Sequence, residues 1–255
     1  MGLNVAAGMA FEDHAPPGAG GTPMVLLHGA GGTREHWPEP LRRLPGRRVV
    51  AVDLPGHGVS PPPGERSVTA YARRVVALLD ALGMARVAVG GHSMGGAIAL
   101  TLALEAPGRV AGLLLVGTGA RLRVTAAILE ASADPARARE GADAVAAVSF
   151  GAGSPARLGE RYAEGLAAVA PGVLHGDFTG CDAFDAMGRL EAVRAPARIV
   201  VGAEDRLTPP KYAAFLRERL PGDGMLTVPG AGHMVTWEAP DLVAREGALL
   251  LAGIG

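Results

Sequence analysis

Short apolar runs alternate with amphipathic stretches along most of the chain. The first strong run, Met24-Val25-Leu26-Leu27, ends in the turn-rich segment His28-Gly29-Ala30-Gly31-Gly32. Ahead of it, Val5 to Glu12 suits an edge hairpin strand, closed off by Pro16-Pro17-Gly18. A second buried strand is predicted over Arg48 to Asp53, followed by Leu54-Pro55-Gly56-His57-Gly58. Tyr71, Val75, Leu78, Leu79 and Leu82 then recur at helical spacing and predict a helix over Val68 to Leu82, with Gly83 as its stop. Arg86 to Gly90 reads as the next strand, and the sharp turn Gly91-His92-Ser93-Met94-Gly95 opens a helix over Gly96 to Glu105. Pro107-Gly108 closes that helix, and Val110 to Val116 is a wholly apolar strand.

Strands that are apolar on both faces and alternate with helices indicate a parallel sheet covered on both sides. The pattern breaks after Gly119: from Arg121 to about Met187 there are helical segments and loops but no buried strand. It resumes with a strand over Arg198 to Val201, a helix over Pro210 to Leu220, a strand over Met225 to Val228 and a last helix from Asp241 to about Leu251. The fold class expected is α/β, a mostly parallel sheet with helices on both faces. Residues 1–120 and 188–255 would form the core and 121–187 a helical cap insertion.

Composition sharpens this picture by exclusion. The 255 residues carry 24 basic and 25 acidic groups, so no electrostatic footprint is offered to nucleic acid or to an anionic membrane. Lys211 is the only lysine, and arginine pairs such as Arg42-Arg43 read as solvated surface. The single cysteine, Cys181, rules out an internal disulfide and reads as a small buried hydrophobe. No run approaches the ~20 apolar residues of a membrane span, and Met1 to Phe11 lacks the features of a signal peptide. A cytoplasmic monomer or homodimer is expected. The histidines lack metal-ligand spacing, so neither a metal nor a cofactor is expected.

Candidate chemistry gathers in the glycine-rich loops. In Gly91-His92-Ser93-Met94-Gly95 the glycines allow a strand-to-helix turn tight enough to push the serine side chain clear of the sheet. Chance alone supplies about 0.14 such matches in a chain this rich in glycine, so the flanking strand and helix carry the weight. A serine hydroxyl needs a base, and the base needs an orienting acid. Of seven histidines, His233 in Pro229-Gly230-Ala231-Gly232-His233 follows the last strand, at the end where active-site groups gather. His28 and His57 lie in loops at the same end, but His57 is too early for a Ser…Asp…His order. Asp205, just past the strand at 198–201, is preferred as the acid over its neighbour Glu204. The amides of Ala30 and Met94 are candidate donors to an oxyanion.

Taken together, these segments resemble the α/β-hydrolase family. His28-Gly29, Asp53-Leu54-Pro55-Gly56-His57-Gly58-Val59-Ser60, Gly91-His92-Ser93-Met94-Gly95, Gly202-Ala203-Glu204-Asp205 and Gly232-His233 fall in the family's order. The resemblance implies Ser93 as nucleophile, His233 as base and then acid, Asp205 as its orienter, and Ala30 and Met94 as oxyanion donors. It also makes 121–187 a cap that roofs the pocket, while Asp53 to Ser60 is expected to brace the sheet.

The reaction expected is hydrolysis of a small to medium apolar carboxylic ester. Serine at the turn argues against the dehalogenases that the chain otherwise resembles. Trp237 matches a tryptophan of the carbon–carbon bond hydrolases of aromatic ring fission, but those usually carry asparagine where this chain has His92. Lactonase and cofactor-free perhydrolase activity need the same groups, and a ligand-binding module of the same fold is the alternative that is not an enzyme. Trp37, His92, Phe150, Phe178, Met234 and Trp237 are the expected substrate-lining residues.

Overall fold

The computed structural model describes residues 3–222 and 224–255. Eight strands form one sheet: β1 (Asn4–Ala6), β2 (Met9–His14), β3 (Met24–Leu27), β4 (Val49–Val52), β5 (Val87–His92), β6 (Val110–Val116), β7 (Ala197–Gly202) and β8 (Gly224–Val228). Their spatial order is β1-β2-β4-β3-β5-β6-β7-β8. The β1–β2 and β2–β4 pairs are antiparallel and all others are parallel. The edge hairpin turns through Ala7 and Gly8, both at positive φ, as a tight two-residue connection demands.

The helices are α1 (Glu39–Arg42), α2 (Val68–Ala81), α3 (Met94–Glu105), α4 (Ala126–Ala133), α5 (Ala138–Ala146), α6 (Ala156–Ala168), α7 (Pro171–Ala183), α8 (Pro210–Arg219), α9 (Val235–Glu238) and α10 (Pro240–Gly253). The sequence reading missed the four-residue helices α1 and α9, which are too short to show a period. Ser67 caps α2, its hydroxyl accepting the Ala70 N–H at 3.1 Å. Val75, Leu78 and Leu79 are fully buried on one face of α2. At about 1.5–3 kcal/mol of burial each, they outweigh any difference in helix propensity. Residues 94–103 of α3 are buried all round, which explains why that stretch shows no polar face.

Two features position a site. The chain runs from β3 outward to β4 and then returns to β5 on the other side of β3, so the strand order reverses between β3 and β5. A crevice opens at the carboxyl ends of strands at such a point. Helices α4 to α7 all lie between β6 and β7 and, apart from the isolated Arg121–Asp185 bridge, no described residue there pairs as a strand. These helices lie against the carboxyl end of the sheet, and one hydrophobic cluster joins residues of α5, α6 and α7 to Met234 of the core. Within the described residues, no helix is long and apolar enough to cross a membrane.

Candidate active site

The sequence places the sharp turn within Gly91 to Gly95; β5 runs two residues past its expected end at Gly90, through His92, and the chain turns at Ser93. Ser93 sits at φ 53° and ψ −116°, a conformation costing a non-glycine residue about 1–3 kcal/mol. Its surroundings hold it there. The Ser93 N–H donates to the Val116 carbonyl at 3.0 Å, and the Thr118 hydroxyl donates to the Ser93 carbonyl at 2.8 Å. The flanking glycines serve close approach: a Cβ on Gly91 would lie 2.2 Å from the Gly95 carbonyl oxygen, and one on Gly95 2.1 Å from that of Leu27. Helix α3 starts at Met94, so its N-terminus points at the space beside Ser93.

His233 and Asp205 meet from neighbouring loops after β8 and β7, with His233 Nδ1 3.0 Å from Asp205 Oδ2. Asp205 Oδ1 accepts the Leu207 and Thr208 amides at 2.9 and 2.8 Å, and Oδ2 accepts the Thr208 hydroxyl at 2.7 Å. Burial opposes ionisation of this carboxyl, but His233 and the Thr208 donors prevail and hold it below its ordinary value. Glu204, the rival acid, is exposed and accepts the Ala152 amide at 2.7 Å instead.

The β3 loop is gripped from behind. The Gly29 carbonyl accepts His28 Nδ1–H at 2.8 Å and the Gly32 N–H at 3.0 Å. In a trans peptide the N–H opposes the carbonyl, so the Ala30 N–H points away from these donors. His28 Nε2 accepts the Leu54 N–H at 3.0 Å, which fixes the proton on Nδ1. Burial, reinforced by His57, pushes the pKa of His28 well down and keeps the ring neutral. Neither Ala30 nor Met94 donates its amide N–H to a partner among the described residues.

Ser93, His233 and Ala30 line one cavity of about 150 Å³. Thr208, Leu207 and Arg206 close it from the core, and Leu122 to Thr125, Ile128, Val145, Phe178 and Cys181 from the segment between β6 and β7. Burial pushes the Cys181 thiol upward, so it offers no thiolate. A hollow of about 220 Å³ at Ala120, Lys211, Tyr212 and Phe215 is larger, but Ser93, His233 and Asp205 are all absent from it.

Of the six expected lining residues, the structure places only Phe178 on the cavity wall. Trp37 is buried with Leu26, Leu41 and Val116 in the second core cluster, because its helical turn packs under the sheet. His92 points inward: its Nε2 donates to the His233 carbonyl at 3.0 Å, and burial, with His233 beside it, brings its pKa down to about 3. A neutral His92 is therefore a strut behind His233. Met234 is fully buried against α5 and α6. Phe150 and Trp237 pack edge-to-face with Tyr162, their ring centroids 5.9 and 6.0 Å from it, so these rings face one another.

Several residues around the site escape the sequence reading. Thr208 completes the shell of donors around Asp205, and a hydroxyl three residues past an acid is too common to stand out. Gly117 has φ +50°, and a Cβ there would press on the His233 carbonyl at 3.2 Å. Glu238 Oε2 accepts the Gly232 amide at 2.8 Å, and its Oε1 accepts the Gly151 amide at 2.8 Å, tying the His233 loop to the segment before α6. Asp177 is the largest omission. It shares the buried face of α7 with Val173 and Cys181 at four-residue spacing, and a lone acid on an apolar face is the signal that marks it.

Comparison with known proteins agrees with the fold. A model of the alpha/beta hydrolase family matches residues 24–246. A dihydrolipoyllysine-residue acetyltransferase component of an acetoin cleaving system from Pseudomonas putida is 34% identical over 253 residues, 90% of this chain; the chain spans only 63% of that relative's length. A protein named as a carbamate hydrolase from Azorhizobium caulinodans is 32% identical over 234 residues, 87% of this chain and 88% of that one. Among solved structures, a thermophilic esterase from Thermogutta terrifontis superposes with a TM-score of 0.84 at 27% identity, covering 96% of this chain and 93% of the other. The chain belongs to the alpha/beta hydrolase family and is a hydrolytic enzyme.

Proposed function

We propose that the protein is a serine esterase in which Ser93, His233 and Asp205 act as a catalytic triad. The observation that carries this reading is the orientation of His233: Nδ1 is tied to Asp205 while the ring shares a cavity with Ser93. Ser93 Oγ attacks the ester carbonyl carbon as His233 takes the hydroxyl proton. The tetrahedral oxyanion accepts hydrogen bonds from the Ala30 and Met94 amides, and Asp205 stabilises the imidazolium. Collapse breaks the bond to the alcohol oxygen, which leaves with the proton from His233. Water, deprotonated by the same imidazole, then releases the acid and restores Ser93.

The size of the cavity and its aliphatic wall support a small to medium acyl or alcohol group. Structural relatives that are esterases, and a curated relative from Neisseria meningitidis named a pimeloyl-[acyl-carrier protein] methyl ester esterase, support the ester reading. Carbon–carbon bond hydrolysis loses support, because Trp237 packs in the aromatic cluster rather than on the cavity.

One feature supports a finer reading: Arg123 and Arg206 are the charged residues of the cavity wall, and no described carboxylate lines it. An ester with an anionic group at its far end fits such a wall. The test is p-nitrophenyl butyrate hydrolysis by wild type and Ser93→Ala, followed by the rate ratio of a monomethyl dicarboxylate to a neutral methyl ester. Turnover lost in Ser93→Ala supports the triad, and equal rates in both proteins overturn it. A ratio that drops in Arg206→Ala supports the anionic substrate; an unchanged ratio overturns that refinement.

A further inference from the structure

A second group of buried polar side chains joins α7 to the core, and the proposed chemistry does not use it. Asp177 is completely buried and accepts three hydrogen bonds. Tyr71 on α2 donates its hydroxyl to Oδ1 at 2.6 Å. His57 Nε2 lies 2.8 Å from Oδ2, and the Gly31 amide donates to the same oxygen at 2.9 Å. The other nitrogen of His57 donates to the Pro55 carbonyl at 3.0 Å. Both ring nitrogens therefore face acceptors and both carry protons, which makes His57 and Asp177 a buried ion pair. Burial alone would push the His57 pKa down, but Asp177 reverses this and raises it.

The Gly31 contact gives this pair a consequence beyond packing. Gly31 follows Ala30, and it has φ +63° in a loop where a side chain would collide with Leu166 and Leu174. The Gly29–Ala30 peptide is held on its carbonyl side by His28 and Gly32. The next peptide, Ala30–Gly31, is held on its amide side by Asp177. With both planes fixed, the rotation at Ala30 that aims its N–H is fixed as well. Helix α7 also presses closely on the core: a Cβ on Gly176 would lie 2.8 Å from the Glu65 carbonyl oxygen. The carboxylate is therefore delivered to Gly31 only when α7 is seated.

We propose that Asp177 is a positioning residue for oxyanion stabilisation: its bond to the Gly31 amide aims the Ala30 N–H and makes that aim depend on the docking of α7. The proposal rests on the serine esterase reading for its kinetic consequence, while its structural core, the ordering of the loop at 29–32, stands apart from any reaction.

The test compares Asp177→Asn with Tyr71→Phe, which removes a different partner of the same carboxylate and leaves the Gly31 bond in place. Loss of one oxyanion donor usually costs about 10²–10³-fold in kcat, so a misaimed donor is expected to cost roughly tenfold to a hundredfold. In Asp177→Asn, kcat should fall by that amount with KM changed less than about twofold, because the donor acts on the transition state. A trifluoromethyl ketone that forms a tetrahedral adduct should lose affinity in parallel. Amide hydrogen exchange over residues 29–32 should accelerate. Tyr71→Phe should lose stability with little change in kcat or in that exchange.

If Asp177→Asn does not fold, Asp177→Glu keeps the charge and displaces the carboxylate, and it should show the same pattern more weakly. Wild-type exchange and kcat in a folded Asp177 variant would overturn the proposal, as would equal loss in Tyr71→Phe. Absence of ester turnover in the wild type would instead strike the esterase reading, and the exchange measurement would still decide the role of Asp177.

Discussion

The described residues include two buried histidine–aspartate pairs, His233 with Asp205 and His57 with Asp177, separated by 3.0 and 2.8 Å. Side-chain identity and burial scarcely distinguish them. The second nitrogen does. His57 spends it on the Pro55 carbonyl, so both of its ring nitrogens are occupied. His233 keeps Nε2 without a protein partner among the described residues, and its ring lines the cavity with Ser93. A proton shuttle needs one nitrogen anchored and the other open, whereas a strut needs both occupied. The chemical role of a histidine is thus decided by what its far nitrogen faces.

Substituting the two acids should separate these roles most sharply. Asp205→Asn should lower kcat by about 10⁴-fold, the scale found when the orienting acid of a Ser–His–Asp triad is replaced, with the protein still folded by circular dichroism. Asp177→Ala, beside a much smaller kinetic loss, should cost about 3–5 kcal/mol of unfolding free energy in urea titrations, because it strands a buried charge on His57. Equal kinetic losses in the two variants would erase the distinction.

The pairs should also differ in how their stability responds to pH. His57 has a raised pKa in the folded state, so its contribution is full below the unfolded value of about 6.5 and is lost as pH rises through the folded one. Asp205 has a lowered pKa, so its contribution is present above the unfolded value near 3.8 and is lost as pH falls through the folded one. Urea midpoints measured across pH should therefore lose their alkaline decline in His57→Gln and part of their acid decline in Asp205→Asn. A wild-type profile without an alkaline decline above about pH 6.5 would contradict the charged state of His57.

The smallest effects are expected at the residues that compete with the site on paper. Glu204→Gln should leave kcat/KM within about twofold, since the side chain holds only the Ala152 amide at the surface. Cys181→Ser should remain active, and the wild-type thiol should react slowly with iodoacetamide because burial keeps it protonated.

Legibility in the sequence followed the range of the interaction that fixes each feature. Strands such as Val110–Val116 were readable because burial on both faces leaves a local apolar run. The turns that carry Ser93 and His233 were readable because a tight turn demands glycines nearby in the chain. The cavity wall was not readable: Trp37 and Phe178 are equally apolar, and only the packing of distant elements puts one under the sheet and the other on the wall. The partners of Asp177 were hidden for the same reason, since they lie 106, 120 and 146 residues away.

The proposed reaction depends on acylation of Ser93 with the help of His233. Rapid mixing with p-nitrophenyl butyrate, followed by acid quench and peptide mass analysis, reads this directly. A burst of p-nitrophenolate matched to enzyme concentration, with a butyryl group on the peptide carrying Ser93 and none in His233→Ala, is the expected result. A butyryl group on Cys181, or steady turnover that survives Ser93→Ala, would contradict it.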